Sequence, residues 1–215
     1  MEQYLVGGAV RDLLMGLEPK DRDYVVMASE QEMLDAGFTK VKASFPVFMK
    51  DGNEYALPRR EKKTGTGYHG FTVETKDVTL EEDLRRRDLT INSMAMEIFG
   101  KEFFDPFGGK QDLFDKVLRH TSEAFAEDPV RVLRVARFRA RFGPEWAVAK
   151  ETRFLIKGMA KHGVLDELTP ERIWKELSRA LMEPFPRLFF DTLLQCDALH
   201  KLFPEVYKLL AALEG

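Results

Sequence analysis

Two carboxylates one residue apart, Asp21 and Asp23, follow a glycine-rich opening. The opening reads Leu5-Val6-Gly7-Gly8-Ala9-Val10-Arg11-Asp12, and the carboxylates lie in Lys20-Asp21-Arg22-Asp23-Tyr24-Val25-Val26. On a strand, residues i and i+2 project from one face, so both acids would point at one spot. Two such anions repel each other unless cations neutralise them, and paired oxygen donors suit Mg²⁺. A Gly-Gly turn beside them lets backbone N–H groups approach phosphates. Metal, carboxylates and phosphate cradle together suggest phosphoryl or nucleotidyl transfer. Each piece also has a plainer reading: a solvated Asp-x-Asp at a strand end, and a simple strand-to-helix turn.

The elements that would position these residues alternate through the first half. Gln3 to Val6 and Asp23 to Met27 read as strands, and Ala9 to Met15 as a short helix. Ser29 with Glu32, and Thr79 with Glu82, are capping boxes that open helices running to Ala36 and towards Arg86. Val47 to Lys50 and Glu54 to Leu57 flank a turn at Asp51-Gly52-Asn53. Lys62 to Gly70 reads as a mobile loop, and Met96 to Phe99 with Glu102 to Phe104 as a second hairpin. The second half reads as almost purely helical, with segments Val130 to Phe142, Thr169 to Met182, Arg187 to Leu194 and Phe203 to Leu213. Asp128-Pro129 reads as a cap with proline at the first helical position. The expected architecture is an α/β head with a small mixed sheet over residues 1–122. An all-α neck and body follows over 123–215.

Composition narrows the class. The chain of 215 residues is 44% hydrophobic and 32% charged, as expected of a soluble globular protein. No apolar run approaches the roughly 20 residues of a membrane span. The chain opens directly on strand-like Tyr4-Leu5-Val6, so no signal peptide is expected. The single cysteine, Cys196, rules out an internal disulfide or a cysteine-based zinc cluster, and a reducing cytoplasm is the expected setting. A net charge of −3 argues against generic nucleic-acid binding. Yet basic residues cluster at Arg59-Arg60-Glu61-Lys62-Lys63, at Arg85-Arg86-Arg87, and in the five arginines between Arg131 and Arg141. A single such cluster is usually a solvated face; three beside a phosphate-type motif favour a polyanionic partner.

Four further motifs follow the glycine turn in order. After Gly7-Gly8-x-x-Arg11-Asp12 come Asp21-x-Asp23 and Arg86-Arg87-Asp88-Leu89-Thr90-Ile91-Asn92. Then come Glu127-Asp128-Pro129-Val130-Arg131-Val132-Leu133-Arg134, and Thr169-Pro170-Glu171-Arg172 with Glu176. With these motifs the chain resembles, from Tyr4 to about Tyr207, the class II tRNA nucleotidyltransferases, or CCA-adding enzymes. Bacterial poly(A) polymerases are their close relatives. Many bacterial members carry a C-terminal metal-dependent phosphohydrolase domain. This chain stops shortly after Pro204-Glu205 and has no His-Asp dipeptide, so that activity is not expected.

The resemblance implies roles. Asp21 and Asp23 would hold two Mg²⁺ ions, with attack of a tRNA 3′-hydroxyl on an α-phosphorus expelling pyrophosphate. Gly7, Gly8 and Arg11 would bind the triphosphate. Arg87, Asp88 and Asn92 would read the ribose; the alternative reading has Asp88 pinning a helix end by pairing with Arg86 or Arg87. Asp128 and Arg131 would select the base. Cytosine and adenine both offer an amino donor beside an unprotonated ring nitrogen, whereas uracil and guanine reverse that order. Arg134 and Arg137 would continue the nucleotide-contacting row. Thr169 to Arg172 and Glu176 would brace those helices, and Trp174, Phe189 and Phe190 fall at core spacing.

The expected function is template-independent addition of CMP, CMP and AMP to tRNA from CTP and ATP, with neither membrane nor DNA as partner. The full-length stretch from Phe45 to Phe71, including Gly65-Thr66-Gly67, favours complete addition. Poly(A) polymerase or partial addition is the alternative, and a non-catalytic RNA-binding module gains nothing from paired anions.

Overall fold

A computed structural model of the chain describes residues 1–43, 45–63, 71–100 and 102–213. Two compact units divide between Phe114 and Asp115, somewhat ahead of the 122/123 division expected from sequence.

The first unit holds β1 (Glu2–Val6), α1 (Gly8–Leu14), β2 (Asp23–Met27), α2 (Glu30–Asp35), β3 (Thr39–Val41), β4 (Val47–Lys50) and β5 (Asn53–Ala56). It continues with β6 (Arg60–Lys63), β7 (Phe71–Glu74), α3 (Leu80–Arg85), β8 (Ala95–Glu97), β9 (Phe103–Phe104) and α4 (Gly109–Phe114). Seven strands form one mixed sheet in the order β3-β4-β5-β2-β1-β8-β9. Neighbours run antiparallel except β2 and β5, which are parallel.

Side-chain alternation along the central strands builds two cores. Tyr4, Val6, Val25 and Ala95 pack on one face with Leu80 and Leu84 of α3. Leu5 on the other face packs with Ala9 and Val10 of α1, and Val26 packs with Met33 of α2 and Phe48. The continuous apolar runs Tyr4-Leu5-Val6 and Tyr24-Val25-Val26 thus lie in a sheet buried on both sides.

Local signals read from the sequence fall where expected. Both capping boxes form, with Ser29 and Thr79 accepting from the backbone N–H groups of Glu32 and Glu82. The β4–β5 turn has Asp51 at φ 50° and Gly52 at φ 78°, the pair of positive dihedrals that matches the right-handed twist of a hairpin. The expected loop from Lys62 instead begins as a strand, because β6 runs to Lys63 and pairs with β7. Residues 64–70, including Gly65-Thr66-Gly67, lie outside the described residues.

The second unit contains β10 (Val117–Leu118), α5 (Val130–Phe142), β11 (Ala147–Val148), α6 (Lys150–Lys161), α7 (Pro170–Leu181), α8 (Arg187–Gln195), α9 (Leu199–Leu202) and α10 (Pro204–Leu213). Its core forms around α5, whose Leu133, Val135 and Ala136 are fully buried, together with Ala180 of α7 and Phe189 and Leu193 of α8. Of the three aromatics expected in the core, Phe189 is buried and Phe190 half-buried, but Trp174 faces solvent on α7. Cys196 is buried, and burial pushes its thiol up to about 11, so it remains protonated and offers no nucleophile. No helix among the described residues is long and apolar enough to cross a membrane.

One close approach locks α4 onto the first unit. A Cβ on Gly109 would fall 2.2 Å from the Thr90 carbonyl oxygen, while Thr90 Oγ1 donates to Asp112 of α4 at 2.7 Å. Gly109→Ala is therefore expected to lower stability by about 1–3 kcal/mol, the usual cost of overpacking. Gly158→Ala, where the new Cβ meets nothing within 4 Å inside α6, should raise it by ~0.5–1 kcal/mol. Urea midpoints of the two variants check both signs, and an unchanged midpoint for Gly109→Ala would contradict the close docking of α4.

Candidate active site

Sheet register decides where the acids go. Val6 pairs with Asp23, and Asp23 in turn with Glu54. Asp23 therefore opens β2 beside the last residue of β1, on the face that α3 covers. Gly7 and Gly8 follow Val6 directly, so the glycine turn and this carboxylate meet at one end of the two central strands. Asp21 departs from the expectation. The strand begins only at Asp23, so Asp21 lies in the bend before it and strand alternation does not set its direction. Both aspartates are exposed, and neither side chain has a hydrogen bond or ion pair among the described residues. Arg22 between them is engaged by Glu18 at 2.6 Å.

Gly7 is constrained twice. Its φ of 71° lies in the left-handed region, and a Cβ there would fall 2.8 Å from Arg87 Nη1. Arg87, just past α3, is thus laid against the glycine turn. Asp83, one turn back on α3, holds it there, accepting from Arg87 Nη2 at 3.0 Å and from Arg86 Nη2 at 2.8 Å. Asp83 also accepts from the backbone N–H of Arg59 at 3.2 Å. Burial alone would raise its carboxyl pKa, but the charges of Arg87 and Arg86 and their hydrogen bonds outweigh it and hold it below the usual range. The Nε of Arg87 is buried with no hydrogen-bond partner.

Arg11, Asn92 and Asp88 form a chain of buried hydrogen bonds. Arg11 is 4% exposed, and its Nε and Nη2 donate to Asp12 at 2.8 and 2.7 Å. Its Nη1 donates to Asn92 Oδ1 at 2.5 Å, and Asn92 Nδ2 donates to Asp88 Oδ1 at 3.0 Å. Asp88 also accepts from the Leu89 backbone N–H at 2.8 Å. Arg11 was expected to offer its fork to phosphates; here two of its edges are committed to Asp12 and Asn92, so it orients the Asn92 amide. Arg86 and Arg87 both pair with an acid outside the motif, Asp83. Sequence reasoning missed it, although acid and arginines at i, i+3 and i+4 on a helix were a usable signal.

In the second unit, α5 spans Val130–Phe142 as expected, with Pro129 at its N-cap position rather than its first turn. Asp128 still caps it, accepting from the Val130 N–H at 3.2 Å. Arg172 donates to Asp128 at 2.9 Å, fixing the carboxylate from α7. Arg131 Nη1 donates to the Ala124 carbonyl at 2.7 Å, and Arg134 lies 5.7 Å from the Phe138 ring centroid. Arg137, expected in the same row, turns inward and pairs with Glu176 at 2.7 Å and Glu183 at 3.6 Å. A helix turns about 100° per residue, so Arg134 stands ~60° from Arg131 but Arg137 ~120° away. Arg172 and Glu176 thus brace the residues at the start and middle of α5.

As a donor set, Asp21 and Asp23 fit Mg²⁺ in kind: two exposed, unpaired carboxylates, the type of oxygen donor that cation takes in place of a closed protein cage. Among the described residues, no group of three or more His, Cys, Asp or Glu forms a metal cluster.

The chain matches the family model described as "Poly A polymerase head domain" over residues 3–119, more than half its length. It also matches "Probable RNA and SrmB- binding site of polymerase A" over residues 147–210. A multifunctional CCA protein of Acinetobacter baumannii is 56% identical over 211 residues, covering 96% of this chain and 51% of that protein. A CCA-adding enzyme of Marinobacter nauticus is 54% identical over 211 residues, covering 96% and 56%. Among solved structures, CCA-adding enzyme with ATP superposes with a TM-score of 0.76 at 31% identity, covering 94% of this chain and 48% of that one. The same comparison with CTP bound gives 0.75 at 32% identity, covering 94% and 49%. The Thermotoga maritima CCA-adding enzyme complexed with tRNA gives 0.75 at 30%, covering 94% and 48%. The chain spans about half the length of the curated relatives it matches. From motif order, mixed sheet and these likenesses together, the chain belongs to the poly A polymerase head-domain family, that of the bacterial CCA-adding enzymes.

Proposed function

We propose that this chain carries the nucleotide-adding centre of a CCA-adding enzyme. The reaction would add CMP, CMP and AMP to a tRNA 3′ end from CTP and ATP, with release of pyrophosphate. The observation that carries this reading is the exposed, unpaired carboxylate of Asp23 beside a turn that glycine alone can make, with Asp21, also unpaired, two residues before it. Asp21 and Asp23 would hold Mg²⁺, which when bound supplies a Lewis acid for the phosphoryl oxygens and lowers the pKa of the attacking hydroxyl. The likeness to CCA-adding enzymes solved with ATP, with CTP and with tRNA supports the substrates, and the cytoplasm is the setting in which they would meet.

The chain's own residues would do the binding. Gly7 and Gly8 leave space for phosphates, and Arg87 offers them a buried, unpartnered N–H beside that turn. Asp83 keeps Arg87 from swinging away. Asp88 and Asn92, ordered by Arg11, would read the ribose hydroxyls, since an amide and a carboxylate together match a group that both donates and accepts. Asp128 and Arg131 would read the base edge. Arg172 favours that role, because a carboxylate fixed in place penalises a mismatched edge more than a mobile one does. Arg137 would act by anchoring α5 to α7 rather than by touching nucleotide. The residues 1–122 would form the catalytic head and 123–215 the helices that choose nucleotide and grip tRNA.

The family model's own description keeps poly(A) polymerase as the second reading. One assay separates the readings. With tRNA ending at its discriminator base and CTP and ATP present, CCA addition gives products three nucleotides longer. Partial addition gives two or one, and a long ladder of A means the polymerase.

Asp21→Asn and Asp23→Asn should each reduce incorporation by several orders of magnitude while tRNA affinity stays near that of the parent. Parent-like turnover in either variant would remove the metal role. Arg131→Ala should lower the preference for CTP and ATP over UTP and GTP by about tenfold or more, since a good bidentate base contact is worth ~1–3 kcal/mol of discrimination. Single-nucleotide incorporation rates for the four NTPs provide the check, and an unchanged preference would remove Arg131 from base reading.

A further inference from the structure

The turn that carries Asn92 is gripped from two sides. Residues Thr90–Asn92 form one turn of 3-10 helix. Such a helix advances about 120° per residue, so Thr90 and Asn92 leave it in different directions. Asn92 meets Arg11 and Asp88. Thr90 meets α4, where its Oγ1 donates to Asp112 Oδ2 at 2.7 Å. Thr90, Asn92 and Asp112 are all buried. Gly109 of α4 lies so close to the same turn that a Cβ there would also fall 2.9 Å from Met94 Cγ. Asp105 holds the start of α4 in that place, accepting from the N–H groups of Gly109 at 2.6 Å and Lys110 at 2.9 Å. Beyond Asn92, the Met94 carbonyl accepts from the Gly7 N–H at 3.1 Å. The turn is thus suspended between α4 and the glycine turn.

Docking α4 on the turn does not by itself call for a carboxylate. Burying one carries a desolvation cost that an apolar contact would avoid. What the carboxylate adds is direction. It accepts, so the Thr90 hydroxyl must donate, and one rotor of the turn is fixed. We infer that Asp112 is a positioning residue for sugar selection, acting through Thr90 to hold Asn92 at the ribose. It touches no substrate. Small rotations of the turn matter, because a hydrogen bond weakens steeply once its angle closes. This role rests on the reading of Asp88 and Asn92 as the groups that meet the ribose. It deepens that reading by naming the contact, on a different element, that keeps the Asn92 amide in register.

The test reads binding, so it needs no turnover. ATP and 2′-deoxy-ATP are titrated into the full chain by calorimetry with Mg²⁺ present, and the parent should bind ATP more tightly. Thr90→Val removes the hydroxyl at nearly constant shape and should cut that preference about fivefold, the order of one hydrogen bond. Thr90→Ser keeps the hydroxyl and should retain the preference. The double variant Thr90→Val with Asp112→Leu replaces both partners by apolar groups, which leaves no buried carboxylate without its donor. Its melting temperature should return towards that of the parent while the preference for ATP stays low. Inorganic tripolyphosphate, which has no sugar, should bind every variant as it binds the parent.

A double variant that recovers both stability and sugar preference makes the contact merely structural and overturns the positioning role. Loss of tripolyphosphate affinity in step with the sugar preference overturns it too, since that marks general damage to the site. Asn92→Ala separates this role from the reading beneath it. Preference lost in Asn92→Ala but kept in Thr90→Val removes Asp112 from sugar selection and leaves the ribose reading standing. Preference kept in both, or absent from the parent, sinks the ribose reading and the positioning role with it.

Discussion

A buried carboxylate, Asp83, organises the glycine-turn end of the first unit. It is fully buried on α3, where an unpaired charge would not be tolerated, and it is matched by Arg86, Arg87 and the backbone N–H of Arg59. Removing one partner of such a buried arrangement costs on the order of 3–5 kcal/mol, chiefly because the other charge is then left alone. One side chain thereby ties the strand entering β6, the end of α3 and the arginine beside Gly7. The contrast with Asp21 and Asp23 is informative. Two acids within the same unit are left without partners, while the acid behind them is saturated with partners.

The second unit follows the same rule. Arg137 is buried on α5 and closed off by Glu176 and Glu183, and Asp128 is held by Arg172. The two pairs that join α5 to α7 also set the angle at which the start of α5 is presented. A motif that reads as structural in the sequence, Thr169-Pro170-Glu171-Arg172, therefore reaches Asp128 through a hydrogen bond from Arg172.

Much of this was legible in the residues. The capping boxes at Ser29 and Thr79, the hairpin turn at Asp51-Gly52 and the strand-like runs of β1 and β2 are local signals, and local signals carry their own geometry. The mixed sheet followed from them, but its strand order did not, because register between distant strands leaves little trace in a single sequence. Helix α6 escaped notice. Its N-cap, Ala149, makes no side-chain cap hydrogen bond, so nothing marked its start. The site was legible as a set of residues but not as a set of bonds. Arg11 and Arg137 carry the right charge in the right motif, yet their guanidinium groups are occupied by Asp12 with Asn92 and by Glu176 with Glu183, partners that only the folded chain brings to them. Asp83 escaped for the opposite reason: it sits among ordinary helix charges and becomes distinctive only when buried.

The meeting of Gly7 with Arg87 has a consequence for how such sequences can drift. Position 7 is confined by two independent restrictions, its left-handed backbone and the guanidinium pressed against it. Shortening the neighbour would lift the second and leave the first, so no compensating change elsewhere makes room for a side chain there. Position 87 enjoys no such absolute bar, and selection on it must act through what the arginine does. One residue of the pair is frozen by geometry and the other by chemistry, so the two should resist mutation for unrelated causes although they touch.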